Sequence, residues 1–154
     1  MDVVTITATD THDLRRRVLR EGTFSDAVVF DGDDDAGTFH LGVRDGDGTI
    51  VAISTWLQRP HPTAPDRPAH QLRGMAIEPA LQGSGVGSLL LAAGLAACAE
   101  RGSEVVWAHA RSTALAFYEG HGFVVYGEDY AEAATGLAHV DVVRTLAVKT
   151  LRPD

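Results

Sequence analysis

The chain has 154 residues, enough for a single domain spanning residues 1–154 with a real hydrophobic core. Its 45% hydrophobic and 22% charged content is ordinary for a soluble globular protein, and its formal net charge of −8, with no basic stripe to offset it, argues against a nucleic-acid partner. One cysteine, Cys98, excludes an internal disulfide and a cysteine-based metal cluster; in an apolar helix it reads as a small buried hydrophobe. No N-terminal stretch joins a basic segment to an apolar one, and the longest apolar run, Val86 to Ala99, is interrupted by Ser88 and Gly94 and too short to cross a bilayer. A cytoplasmic protein without a membrane partner is therefore expected.

From the N-terminus, Val3 to Ala8 alternates as a short strand, and a helix follows with Asp10 or Thr11 as N-cap, Leu14, Val18 and Leu19 as its apolar stripe and Gly22 to close it. Arg15, Arg16, Arg17 and Arg20 on that helix read as a solvated face. Residues 31–35, "DGDDD", have the D-x-D-x-D spacing of a calcium loop, but the twelfth position falls on Gly42 where a bidentate Glu is required. They read as a solvated turn.

Two β-rich runs, Thr38 to Arg44 and Thr49 to Gln58, flank "DGDG" and predict a hairpin. "PHPTAPDRP", residues 60–68, holds four prolines and is a loop suited to form one wall of a binding site. "HQLRGMAI" reads as a strand stopped near Pro79. From Val86 the period becomes helical, with Val86, Leu89, Leu90, Ala93 and Ala97 on one face and Gly102 at the end. "EVVWAHA" is a buried strand, "STALAFYEGHG" a short helix, and "FVVYGEDY" and "LAHVDVVRTLAV" are two antiparallel final strands. The order β-α-(α)-β-β-β-α-β-α-β-β predicts a mixed α/β sheet.

The stretch "QGSGVGSLLLAAGLAACAERG" carries the chemistry. A glycine-rich turn between a strand and a helix start makes an anion site, because the first helical N–H groups lack partners and carry about half a positive charge. A P-loop needs G-x-x-x-x-G-K-[ST], and this loop has no lysine. A dinucleotide fingerprint needs G-x-G-x-x-G in the first βαβ unit; here Gly83 and Gly85 are followed by Ser88, in mid-chain.

What fits is Gln82-x-x-Gly85-x-Gly87 between a strand and an amphipathic helix. Here the sequence resembles the GCN5-related N-acetyltransferase (GNAT) superfamily, whose phosphate loop is [Arg/Gln]-x-x-Gly-x-[Gly/Ala]. A second signature agrees: "ALAFYEGHGF", residues 114–123, is similar to that family's A-x-x-F-Y-x-x-x-G-F. The resemblance is closest from Leu72 to Tyr126. It implies the GNAT fold, a mostly antiparallel mixed sheet of about seven strands flanked by helices on both faces, with acetyl-CoA as co-substrate, no metal, and an amine acceptor, small-molecule or peptide. It also implies that the backbone of Met75, Ala76 and Ile77 pairs with the pantetheine arm. The N–H groups of Gln82, Gly83, Ser84, Gly85, Val86 and Gly87, extending to Ser88, would wrap the pyrophosphate. Tyr118 corresponds to the family's tyrosine beside the cofactor sulfur, where it would protonate the leaving thiolate; the alternative is an aromatic packed with Phe117.

Many relatives carry asparagine seven residues before that tyrosine, where this chain has Arg111. That arginine would either contact a phosphate of CoA or lie at the surface of a strand end. Glu78 is the first choice for the general base, with His109, His40 and His70 as the others. An acidic chain favours a cationic acceptor, chosen by the first helix, the proline-rich loop and "GEDYAEAATG", where Glu128, Asp129 and Glu132 would attract it. Trp56 belongs either to that pocket or to the core. Alternatives to an N-acetyltransferase acting on a primary amine are a non-catalytic acyl-CoA-binding module of the same fold and a nucleotide-phosphate domain of another class. Family members often dimerise through the final strands, which leaves a homodimer open.

Overall fold

The computed structural model describes residues 1–23 and 25–146. Seven strands form one sheet: β1 (Asp2–Ile6), β2 (Phe39–Arg44), β3 (Ile50–Leu57), β4 (Ala69–Ile77), β5 (Val105–Arg111), β6 (Val124–Ala131) and β7 (Ala138–Thr145). Their spatial order is β1-β2-β3-β4-β5-β7-β6, and every neighbouring pair is antiparallel except β4 with β5. This is the expected mixed sheet. The last residues assigned to the final strand from sequence, Ala147 and Val148, lie outside the described residues.

Three helical segments flank the sheet. The first, α1 (9–19), runs through a 3-10 turn at Thr9–Thr11, an α turn at His12–Leu14 and a π turn at Arg15–Leu19. The second, α2 (Val86–Glu100), and the short α3 (Leu115–Gly120) follow the glycine loop and β5. Among the described residues no second helix follows α1 before β2. α1 starts earlier than its expected caps. β1 ends at Ile6, and Thr7 and Asp10 bond each other's backbone N–H reciprocally, at 3.2 and 3.0 Å, as a capping box does.

The main core lies between the sheet and α2, and a second cluster lies between the sheet and α1 through Ile6, Leu14, Ile53 and Ala76. The buried face of α2 is rotated from the expected one. Leu90, Leu91, Gly94, Leu95 and Cys98 are buried, whereas Leu89 is 42% exposed. Gly94 sets this rotation: a Cβ there would lie 1.8 Å from Cζ2 of Trp56, whose fully buried indole stacks on Phe39 at 5.9 Å. Trp56 is thus core and packs on the helix backbone itself.

The arginines of α1 form a solvated face only in part: Arg16 and Arg17 are exposed, Arg20 is half-buried, and Arg15 turns inward. Arg15 is fully buried, and its guanidinium grips Asp33 at 2.7 and 2.9 Å and bonds Thr55 Oγ1 and the Val28 carbonyl at 2.8 Å each. Asp33, from the turn expected to be solvated, also accepts the Phe30 N–H at 2.9 Å. Burial alone would raise the Asp33 pKa, but the Arg15 guanidinium and the Phe30 N–H outweigh it and hold the carboxyl below its usual value. His40 completes the cluster, with its ring nitrogens 2.8 Å from Thr55 Oγ1 and 3.0 Å from the Asp33 carbonyl.

Two stability outcomes follow from these contacts. Asp33→Ala leaves Arg15 buried and unpaired, so chemical denaturation should show a loss of about 3–5 kcal/mol. Because the native Asp33 pKa is depressed, its contribution is complete above the ordinary carboxylate value near 4 and disappears as pH falls through the lowered native value. The variant's stability should therefore vary less with pH in that acid range; an unchanged acid profile would show that the pair contributes nothing. Gly94→Ala gains about 1 kcal/mol of helix propensity but must displace a fully buried indole, costing about 1–3 kcal/mol. A net fall in the denaturation midpoint is expected.

Candidate active site

The loop between β4 and α2 is shaped for an anion. A 3-10 turn at Pro79–Leu81 leads into it, and Gly83 and Gly85 take φ of 81° and 95°, values that side chains resist. Both lie in open space where an added Cβ would meet nothing, so the backbone is approachable. The Gln82 and Ser84 N–H groups are spent within the turn on the Pro79 and Leu81 carbonyls, which corrects their expected part in the cradle. The N–H groups of Gly83, Gly85, Val86, Gly87 and Ser88 have no backbone acceptor among the described residues. Five donors at a helix N-terminus with no cation among them fit a pyrophosphate held by backbone alone. The Gln82 amide instead ties the loop to β4 by donating to the Ile77 carbonyl at 3.3 Å.

Beside this loop the sheet opens. β4 and β5 pair in parallel only from Ala69 with Val105 to Leu72 with Ala108. Beyond them, β4 continues to Ile77 with no partner on that side, and β5 to Arg111. The register of β4 on β3 also slips, three β4 steps from Arg73 to Ala76 facing two on β3, with Gly74 at φ 66° in the bulge. Met75, Ala76 and Ile77 therefore offer a free backbone edge to the gap.

A cavity of about 1010 Å³ passes through this gap. Leu72, Met75, Ala110 and Tyr118 line it from the α2 side, and all four belong to or pack against the main core. Arg73, Trp107, His109 and Arg111, alternating with those residues along β4 and β5, line it from the α1 side. Pro60 and Pro62 of the proline-rich loop form one wall, and Tyr130, Ala131, Glu132 and Ala133 another.

On one face Tyr118 is buried at 7% exposure, edge-on to Phe117 and Phe123 at 5.4 and 5.3 Å. Burial pushes its phenol up to about 12, so it holds its proton throughout the neutral range. On the other face, His109 Nδ1 lies 2.5 Å from Asp141 Oδ1 and 2.9 Å from the Tyr130 hydroxyl, which donates to the same carboxylate oxygen at 2.6 Å. With Nδ1–H given to Asp141, Nε2 is left as the acceptor. Sequence spacing hides this pair. His109 and Asp141 are 32 residues apart and become opposite partners only through the β5–β7 register.

Other candidates stand elsewhere. Glu78 does not line the cavity. Its carboxylate takes a bidentate ion pair from Arg17, 2.8 Å to each oxygen, which holds its pKa below the usual carboxylate value. His70 is buried against Phe39 and bonded to Ser103 Oγ at 2.6 Å, and His40 belongs to the Arg15 cluster. Arg111 neither reaches the glycine loop nor lies free at the surface: its guanidinium donates to the Leu19 carbonyl at the end of α1. Of the three acidic candidates, Glu128 and Asp129 lie on β6 rather than in a loop, and Glu132 just beyond it lines the cavity, with its oxygens already accepting from Thr135 Oγ1 and the Ala134 N–H. Four arginines unmarked as a group in the sequence, Arg20, Arg59, Arg73 and Arg111, line the same space.

Comparison with known proteins agrees with this architecture. Residues 8–123 match the acetyltransferase (GNAT) family. An uncharacterised N-acetyltransferase of Bacillus subtilis strain 168, YitI, is 31% identical over 146 residues, covering 95% of this chain and 97% of its own length. Crystal structures with the same fold include Escherichia coli ElaA (TM-score 0.76, 18% identity, covering 94% of this chain and 99% of that one). An aminoglycoside 6′-N-acetyltransferase complexed with coenzyme A also matches (TM-score 0.71, 13% identity, both chains fully covered). The chain belongs to the acetyltransferase (GNAT) family.

Proposed function

We propose that this acetyltransferase moves an acetyl group from acetyl-CoA to a primary amine by direct attack, with Tyr118 as general acid and His109, held by Asp141, as general base. One observation carries the reading: a single cavity crosses the sheet where β4 and β5 part, with a protonated phenol on one face and a carboxylate-oriented imidazole on the other. His109 replaces Glu78 in this role because the Glu78 carboxylate is already committed to Arg17.

The residues divide the work. The free N–H groups from Gly83 to Ser88 hold the pyrophosphate, and the open edge of Met75, Ala76 and Ile77 aligns the pantetheine arm. Acetyl-CoA supplies an activated thioester, whose carbonyl carbon takes the amine and whose sulfur departs. His109 Nε2 removes the proton that an ammonium acceptor must lose before its nitrogen can attack. As the C–N bond forms and the C–S bond breaks, Tyr118 gives its proton to the sulfur and recovers one from the acylated nitrogen, which sheds its second proton as the amide forms; the proton held by His109 passes to solvent.

A phenol at about 12 is a weak acid in water, but its partner shares its dry surroundings. Burial beside the Tyr118 phenol would raise the proton affinity of the leaving thiolate as it raises that of the phenol, so the two stay matched.

Thiol release from acetyl-CoA across a panel of amines, beside direct acetyl-CoA binding, tests the reading; binding without release on any amine would leave a non-catalytic acyl-CoA module. Tyr118→Phe should lower kcat by about 10²-fold while leaving the acetyl-CoA Kd within about twofold, and an unaltered kcat would remove the general acid. In the native enzyme, ionisation of Tyr118 should cause no loss of rate below about pH 10, since its pKa lies near 12. His109→Gln should abolish the rise of kcat/KM on the acid limb. If that limb survives in the variant, another group or a water chain is the base.

A further inference from the structure

The cavity on the α1 face is cationic although the whole chain carries −8. Arg20, Arg59, Arg73 and Arg111 line it, against one carboxylate, Glu132. The other arginines of this region are matched. Arg15 is held by Asp33, and Arg17 by Glu78 and Asp13. Arg20 and Arg111 spend one N–H group each on backbone carbonyls, of Ala27 and Leu19. Arg59 reaches Asp31 at 3.4 Å, but that carboxylate is 97% exposed and contributes little.

Arg73 has no hydrogen bond or salt bridge among the described residues. It is half-buried, points into the cavity, and lies with its Cζ 4.5 Å from the centroid of the Phe30 ring. The same ring carries Arg15 at 3.8 Å and Arg20 at 5.1 Å. Burial lowers the Arg73 pKa, and the charges of Arg59, Arg15 and Arg20 lower it further, with only Asp33 opposing them. A guanidinium held among like charges without a counter-ion costs stability, so packing alone does not account for it. The π turn of α1 contributes to the arrangement: Arg20 donates its N–H to the Arg15 carbonyl, and a five-residue turn sets both side chains on one side, toward Phe30.

We infer that the acceptor is an amine carrying an oxyanion, a carboxylate or a phosphonate, which sits on Arg73 with Arg20 and Arg59 while its amino group faces His109. This deepens the reading of the cavity as the acceptor side of an acyl transfer. It reverses the expectation from net charge, that the acceptor is a simple cation.

Matched probes test it with the full chain. Thiol release from acetyl-CoA should favour β-alanine or L-glutamate over β-alaninamide, and 2-aminoethylphosphonate over propylamine, by at least about tenfold in kcat/KM; the two arms separate the carboxylate from the phosphonate. Calorimetric binding of the same probes to the protein with CoA should show that preference even where turnover is slow, and it should weaken as salt is raised. Arg73→Gln should remove the preference through KM, leave the acetyl-CoA Kd unchanged, and hold or raise Tm because a like-charge cluster is relieved. A falling Tm with an intact preference would make Arg73 structural and overturn the inference. So would equal or better use of propylamine or spermidine by the native protein, failure of every anionic probe to bind at millimolar concentration, or a charge preference that appears only with succinyl-CoA as donor. Loss of acetyl-CoA binding and of thiol release with all amines would instead refute the acyltransferase mechanism itself.

Discussion

The parting of β4 and β5 governs the molecule. Parallel pairing holds these strands together over four residue pairs and then stops, while each strand stays fastened on its far side, β4 to β3 and β5 to β7. Both edges of the gap keep unpaired backbone groups inside the fold, and each such group left dry costs about 1–3 kcal/mol. The extended arm of the proposed donor, with amides of its own, would relieve that cost by lying along β4. In the proposed reaction the defect in the sheet would serve as the donor's seat; as a passage between the faces it explains why one cavity touches residues that point to opposite sides.

What keeps the α1 wall of that passage in place is the buried Arg15–Asp33 pair. Burying two charges is rarely a net gain in stability, and the Arg15 Nε is left without a partner. The pair acts through position. It fastens α1 to β3 through Thr55 and to the acidic turn through Asp33, and Asp33 in turn fixes the Phe30 backbone. Phe30 then supports the guanidiniums of Arg20 and Arg73 against the bulge at Gly74, where an added Cβ would meet the ring at 2.8 Å. A cationic floor made of long, flexible side chains gains definition from one aromatic ring and one internal ion pair.

Sequence legibility divides along the same line between local and distant contacts. The glycine loop could be read because its conformation is a local matter: left-handed glycines and a helix start identify themselves within a few residues. The tyrosine helix and the succession of elements along the chain were legible for the same reason. The rotation of α2 was not, because it depends on an indole 38 positions away in sequence that seeks the one helical residue lacking a side chain. Arg15 looked solvated because its partner lies in another turn, and the partner looked like a solvated or calcium-type loop for the converse reason. His109 acquires Asp141 only through strand register, and Glu78 loses its availability only because α1 brings Arg17 over it. Residue type and spacing thus pointed to the glycine loop and to Tyr118, while the His109–Asp141 contact and the arginines around the cavity emerged from tertiary packing.

The contrast between an acidic chain and a cationic cavity has a physical consequence for selection. Charges in 0.15 M salt are screened over about 8 Å, so an approaching ligand feels the acidic exterior only close to the surface. Among the partly buried arginines of the cavity screening is weaker than at the open surface, so the four guanidiniums act on a bound ligand more strongly than surface charges do. An anionic acceptor would thus gain little during approach and most of its binding after entry. A polycation would meet the reverse: attraction at the rim and repulsion within. Selection by such a site resides in the bound state and its release rate, which places it among the half-buried guanidiniums around Phe30 rather than in the net charge of the chain.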